Sequence, residues 1–282
     1  MSKLLEMFQQ DFMQNVLAGT AVVAAICAYL GVFIVLRRAV FVGAALAQVS
    51  SFGVALSFII CAILERWHQR EIHFPPQPFA LALTLGATVL LAVQHRERRV
   101  PRETVIGVAY CVAGALAILV VAASGHLQAE VLNLLFGNVL TISRAGVIGL
   151  AALAAGVGVV HWLFHKEFLF TSFDPDTAVA LGVRARFWNI VLFLTIGVTI
   201  ALAIRAAGAL VVFNFLVLPA ATALMIGKSL RAVFVVSIIL GVASAFAGIA
   251  ISYIADWPSG ATIVAVNAVW LVVASVARRW LL

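Results

Sequence analysis

Two long stretches without a charge constrain this chain more than any other feature. Residues 12–36 contain no Asp, Glu, Lys or Arg, and neither do residues 39–64. About 20 apolar residues suffice for a helix to cross the hydrocarbon core of a bilayer, so runs of this length read as spans. Apolar residues follow one another continuously instead of alternating every second position, which selects helices over outer-membrane strands. The composition agrees: 65% hydrophobic, 10% charged and mean hydropathy +1.16. A soluble globular domain is nearer half apolar with about a quarter of its residues charged, and is excluded.

The pattern predicts an all-α, polytopic transmembrane bundle of nine spans, at 13–36, 41–64, 78–94, 104–124, 142–164, 188–204, 207–226, 231–254 and 260–278, forming one domain over residues 1–282. Leu4, Leu5, Phe8 and Phe12 at helical spacing predict a short surface helix before the first span. Met1 to Gln14 has Lys3 as its only base and lacks the basic start of a secretory signal, so the first span, ending in Arg37-Arg38, is expected to remain as an anchor. Glu130 to Val139 is apolar but too short to cross, and reads as an interfacial or re-entrant helix on the outer side.

The net charge of +7 does not point to nucleic acid, because the bases fall in clusters between apolar runs. They set topology instead. If the 166–187 loop is cytoplasmic, that side holds Arg37, Arg38, Arg96, Arg98, Arg99, Arg102, Lys166, Arg184, Arg186, Lys228, Arg231, Arg278 and Arg279. The other side keeps Lys3, Arg66, Arg70, Arg144 and Arg205; thirteen against five puts the N-terminus outside and the C-terminus inside.

That loop carries a very short helix. Asp174 suits an N-cap, Pro175 the first helical position, Asp176 the positive end of the dipole, and Gly182 the stop. A helix of about seven residues spans only ~10 Å and cannot cross a bilayer. It reads as a surface docking element that a partner holds.

Catalytic signatures are absent. There is no G-x-S-x-G and no H-E-x-x-H, and Gly227-Lys228-Ser229 lacks the glycine of a phosphate-binding loop, since Thr222 stands in its place. No acid lies clearly inside a span, which disfavours an intramembrane enzyme. ATP, if used, is bound by another protein. Cys27, Cys61 and Cys111 show no paired spacing and read as small core residues. Asn214 and Pro219 fall within one span, a polar group seeking a partner and a kink. His161 and His165 are four apart on one predicted helical face, a metal spacing, yet sit beside Trp162 and Phe164 where interfacial anchoring explains them too. Glu65, His68, Glu71, His73 and His126 are outer residues that either receive metal or are simply solvated. Asp256, before Pro258 and Gly260, either caps the last span or sits at an outer gate.

Several blocks occur in order: Leu36-Arg-Arg-Ala-Val-Phe-Val-Gly43, Ser51-Phe-Gly53, Phe173-Asp-Pro-Asp-Thr-Ala178 with Leu181-Gly-Val183, Gly208-Ala-Leu-Val-Val212, Pro219-Ala-Ala-Thr-Ala223 and Asp256-Trp-Pro-Ser-Gly260. Together they resemble the membrane permease subunits of bacterial ABC importers for zinc, manganese and iron. The resemblance implies an inner-membrane permease, a homodimer bound to two cytoplasmic ABC ATPase subunits and fed by an extracytoplasmic metal-binding protein. It implies that Asp174 to Val183, with Pro175, Asp176, Ala178, Leu181 and Gly182, is the coupling helix in the ATPase groove. The divalent metal is cargo, with no tightly bound cofactor, and ATP belongs to the partner.

One departure matters. After the Arg-Arg turn the family pattern carries Gly-Asp-x-x-x-His, an acid and a histidine one turn apart that can face one ion together. Here the stretch is Gly43-Ala44-Ala45-Leu46-Ala47-Gln48, and both ionisable ligands are gone. A divalent ion in a low-dielectric interior needs its charge balanced or its hydration kept. Gln48, Ser50, Ser51 and Asn214 are therefore either a polar path for a hydrated or chelated ion, or groups that hydrogen-bond between helices. The same architecture importing a chelated metal or another small solute is the alternative reading.

Overall fold

The computed structural model describes residues 10–68, 77–93, 101–123 and 142–281. Among these the structure is all helix: α1 Asp11–Leu36, α2 Val40–His68, α3 Gln77–Val93, α4 Arg102–Ala123, α5 Arg144–Leu163, α6 His165–Phe173, α7 Pro175–Ala180, α8 Ala185–Ala207, α9 Ala209–Ile226, α10 Leu230–Ala255 and α11 Ser259–Leu281. Eight are long and apolar enough to cross a membrane. The remaining expected span, at 78–94, is α3, an apolar helix whose 17 residues fall just short of that length. The expected outer helix at Glu130 to Val139, the basic run at 96–99, Leu4, Leu5, Phe8, Glu71, His73 and His126 lie outside the described residues.

In lipid the hydrophobic effect does not favour helix on helix over helix on acyl chain, so close backbone approach and satisfied polar groups have to hold the bundle. α1 is its centre, packed on α5, α9 and α10 and buried along most of its length. Gly31 shows how close the approach is: a Cβ there would lie 2.0 Å from the Leu216 carbonyl oxygen of α9. Only glycine fits. Gly53 meets α3 in the same way, with an added Cβ 2.7 Å from Ala80 Cα.

Hydroxyls inside the spans mostly return to their own helix, as membrane Ser and Thr do when no water is near. Thr20 donates to the Val16 carbonyl at 2.7 Å, Thr84 to Ala80 at 2.6 Å and Thr222 to Leu218 at 2.8 Å. Ser237 differs, reaching from α10 to the Ala28 carbonyl of α1 at 2.8 Å, a direct tie between helices. On the outside of the bundle α4 and α5 leave Leu116, Ile118, Leu119, Ile148 and Val159 exposed, an apolar surface suited to lipid or a second membrane chain.

Turns between spans are closed by local geometry. Arg38 takes a left-handed φ of 53°, and the N–H groups of Arg38 and Ala39 bond the Val35 and Ile34 carbonyls, ending α1. Ser229 N-caps α10, accepting from the Ala232 N–H at 3.3 Å. The Gly227-Lys228-Ser229 string is thus a helix-to-helix turn.

Candidate functional site

The long polar interruption is more structured than its sequence suggests. Residues 165–173, within the 166–187 stretch that the sequence pattern predicts as a loop, form α6, and α7 follows after the single residue Asp174. Phe168 explains α6: fully buried, it stacks against His161 at 4.5 Å and meets Trp188 at 5.6 Å and Phe33 at 6.4 Å. The signal in the sequence was Phe164, Phe168 and Thr171, apolar or small groups three to four apart facing one side.

α7 is built from its own ends. Asp174 accepts from the Thr177 N–H at 3.0 Å and from the Thr177 hydroxyl at 2.5 Å, and Pro175 occupies the first helical position. These bonds favour the ionised carboxylate and hold it below its ordinary value of 3.8. At the other end Gly182 adopts φ +81°; its N–H bonds the Val179 carbonyl and that of Val183 bonds Ala178, a Schellman closure. The six-residue helix needs nothing from the bundle to define its limits. Ala178 alone turns inward and is buried, while Phe173, Val179 and Leu181 are 56%, 62% and 70% exposed. With Arg184 and Arg186 also exposed, the outer face offers large apolar groups flanked by positive charge. An exposed apolar patch of this kind is unusual on a helix outside the spans.

The expected path residues are placed differently. Gln48 is half-buried on α2, and its Oε1 would lie 3.3 Å from a Cβ added at Gly114 of α4. Ser51 is buried and donates to the Ala47 carbonyl at 3.1 Å, within its own helix. Asn214, on the proline-containing α9, is 4% exposed and neither end of its carboxamide has a partner. Asn267 on α11, which sequence reading passed over, is 1% exposed and equally unpartnered, as are the hydroxyls of Ser50 and Ser244. α9 packs on α2, with Leu216 and Phe213 within 3.4 Å and 3.7 Å of the Cβ position at Gly43, but no hydrogen bond joins Asn214 to Gln48.

The His161 and His165 geometry needs correcting. The helix breaks at Phe164, so His165 begins α6 and the two rings do not share one continuous helical face. Nor does His161 anchor at an interface. It is fully buried among the rings of Tyr29, Phe33 and Phe168. Its Nε2 lies 2.9 Å from the Thr195 hydroxyl. That hydroxyl already donates to the Leu192 carbonyl, so Nε2–H is the donor and Nδ1 is left without a partner. His165 packs at 6.1 Å from Phe234. Among the described residues no three His, Cys, Asp or Glu side chains converge on one point. Asp256 does not cap the last span. It ends α10 in a left-handed conformation, φ 56°, exposed, with Trp257 and Pro258 intervening before α11. The Ser252 hydroxyl closes this turn on the Trp257 carbonyl at 2.6 Å.

The family model described as the ABC 3 transport family matches residues 9–278. The chain is 29% identical over 272 residues to the manganese transport system membrane protein MntC of Halalkalibacterium halodurans, covering 94% of this chain and 88% of that protein. It is 27% identical over 275 residues to a Haemophilus influenzae protein named as a probable iron transport system membrane protein, covering 96% and 92%. Among solved structures, PsaBC from Streptococcus pneumoniae in complex with Fab superposes with a TM-score of 0.82 at 24% identity, covering 97% of this chain and 94% of that one. That likeness carries the fold.

Proposed function

The chain belongs to the ABC 3 transport family, and from that membership we propose that it is the membrane permease of an ABC importer for a divalent transition metal. It is a transport subunit and not itself an enzyme. Relatives named for manganese and iron support a metal cargo. The observation in this chain that carries the reading is α7: a self-capped helix beside the bundle whose apolar outer face is left exposed among the described residues. It docks in the groove of a cytoplasmic ATPase. ATP binding draws two ATPases together, the α7 helices of a homodimer move with them, and the one permease domain of each chain switches access from one side to the other.

Orientation follows the bases. Thirteen cytoplasmic Lys and Arg against five outside place the N-terminus outside and the C-terminus in the cytoplasm of a bacterial inner membrane, where a metal-binding protein delivers cargo to the outer face. Gln48, Ser51 and Asn214 line the route, with Asp256 near its outer mouth. A second reading, import of a chelated metal or other small solute, is favoured by Ala44 and Gln48, which leave the route without the acid and histidine that a bare ion uses.

The test is ATP-dependent uptake of manganese(II), iron(II) and zinc(II) into liposomes holding the chain with its ATPase and binding protein, beside a Gln48→Ala variant. Uptake of one ion, weakened by the variant, supports the free-metal reading. An intact complex that hydrolyses ATP and takes up none of them moves the assignment to a chelate or another solute.

A further inference from the structure

Arg37 ends α1, and nothing in its sequence position beyond topology explains where its guanidinium goes. The side chain turns back into the bundle. Nε donates to the Ser172 hydroxyl at 2.9 Å and Nη2 to the Thr171 hydroxyl at 3.3 Å, both in the last turn of α6. Nη1 donates to Oδ1 of Asn189 in the first turns of α8, and the other end of that carboxamide donates to the Ala92 carbonyl of α3 at 3.0 Å. The guanidinium carbon lies over the Phe193 ring of α8, 6.0 Å from its centroid. Thr171 and Ser172 also bond the Glu167 and Phe168 carbonyls, so they are fixed to α6 and do not swing freely.

One side chain thus joins α1, the central helix of the bundle, to the residues immediately before the Asp174 cap, and through Asn189 to α8 and α3. A planar fork with several fixed donors holds three acceptors on two helices in one set geometry; an ammonium also has three donors, but as a compact charge on a flexible stem. Half-buried, with charge-assisted bonds, the joint is stiffer than a surface contact. A second connection between α6 and α1, Phe168 on Phe33, is an apolar edge-to-face contact with no hydrogen bond to fix its direction. On its N-terminal side α7 is joined to the bundle through Ser172 and Phe173, and the Arg37 fork ties that segment to α1; on its C-terminal side it runs into α8.

We infer that Arg37 is a positioning residue for energy coupling: it transmits movement of α7 to α1, without touching cargo or nucleotide. The inference rests on the permease reading and names a part of its mechanism. It has a signature that a purely structural residue lacks, because losing a transmission joint lowers cargo moved per ATP hydrolysed and leaves assembly and hydrolysis in place.

The experiment uses the complete complex of permease, ATPase and binding protein in liposomes, with manganese(II) and iron(II) as probes. It reads uptake, ATP hydrolysis and ATPase retained on purification. Arg37→Met should lower the ratio of uptake to hydrolysis on the order of tenfold, within the ~2- to 30-fold range of residues along a coupling network. Arg37→Lys should restore it only in part. Ser172→Ala should lower the ratio in the natural background and add nothing in the Arg37→Met background, the non-additivity that marks one shared joint. An unchanged ratio in a folded Arg37→Met complex, or additive effects of the two changes, overturns the inference. If Arg37→Met fails to fold, Ser172→Ala and Asn189→Leu decide it, since each removes one acceptor and keeps the arginine; unchanged ratios in both overturn it. Failure of the permease reading itself looks different: the natural chain then retains no ATPase on purification and its liposomes take up neither ion, and the inference falls with its premise.

Discussion

α7 and the middle of the bundle stand at opposite ends of a scale of hydrogen bonding. At α7 the cap Asp174 and the stop at Gly182 satisfy the exposed ends of a helix that water could have solvated anyway. In the bundle, Asn214 and Asn267 are buried beyond the reach of solvent and hold donors and acceptors that meet nothing. An unmade hydrogen bond is cheap on a surface and costs about 1–3 kcal/mol inside. The surface element is closed by its own bonds, while the interior keeps polar groups open. Docking requires a fixed knob. A route for polar cargo requires groups that are not already spoken for.

The largest effect should come from the tight seam on which both regions depend. Gly31→Ala places a methyl group 2.0 Å from the Leu216 carbonyl oxygen, a backbone atom that cannot rotate away. Overpacking of this severity costs at least ~3 kcal/mol and should abolish a monodisperse, thermally stable protein in detergent. Gly156→Ala on the open face of α5, where nothing lies within 4 Å, is the control and should keep or slightly raise the melting temperature. Equal behaviour of the two would mean that α1 and α9 do not meet as described.

Next in size is the loss of the α7 cap. Asp174→Ala removes both bonds to Thr177, and should speed amide exchange at Thr177 and Ala178 and lower ATPase retention several-fold, with the melting temperature of the bundle little changed. The same element carries a pH dependence. Because the folded carboxyl is held below its ordinary value of 3.8, its contribution is present above that value and is lost as pH falls through the lower folded one. Exchange at Thr177 should therefore accelerate below pH 3.8 in the natural protein and be insensitive to pH, beyond intrinsic rates, in Asp174→Ala. A melting transition that fell as far as the docking did would show that α7 is part of the core and not an appended knob.

How much of this was legible beforehand follows from the range of the interactions. Helix limits depend on neighbours in sequence, so the first span was expected at 13–36 and found as Asp11–Leu36, and the seventh at 207–226 and found as Ala209–Ile226. The Asp174 cap and Gly182 stop are local in the same sense, and both were readable. α6 was not, because its hold is Phe168 wedged against Phe33 and Trp188, residues far away in the chain. His161 and His165 misled because spacing alone assumes a continuous helix, and the break at Phe164 leaves no trace in composition. Asn267 was missed since a single amide among apolar residues reads like a packing group until its burial is known. The family resemblance rested on dispersed blocks, which survive where individual ligands such as the Ala44 and Gln48 positions do not.

The interior half of the comparison is sharpened by Asn214→Leu. Replacing an unpartnered carboxamide with an apolar group of similar size removes an unmet polar pair, so stability should rise by about 1 kcal/mol, read as a higher melting temperature in detergent. If Asn214 lines the route, uptake should fall in the same variant. A gain in both stability and uptake would show that Asn214 is merely tolerated. A loss of stability would show that the carboxamide has a partner in the assembled complex, which would bring interior and surface closer together.

The smallest effect concerns Arg38, adjacent to Arg37 but unlike it. It sits at φ 53°, a region that costs an L-residue roughly 1–2 kcal/mol and glycine almost nothing. Arg38→Gly removes that strain but gives the unfolded chain extra freedom, which returns ~0.5–1 kcal/mol to the unfolded side. The net should be a gain of no more than about 1 kcal/mol, a shift of a degree or two for a protein of this size. Arg38 is exposed, so its loss should leave the coupling ratio untouched while Arg37→Met, one residue earlier, changes it. If Arg38→Gly instead uncouples uptake from hydrolysis, the sensitivity belongs to the turn as a whole and the guanidinium fork at Arg37 loses its special place.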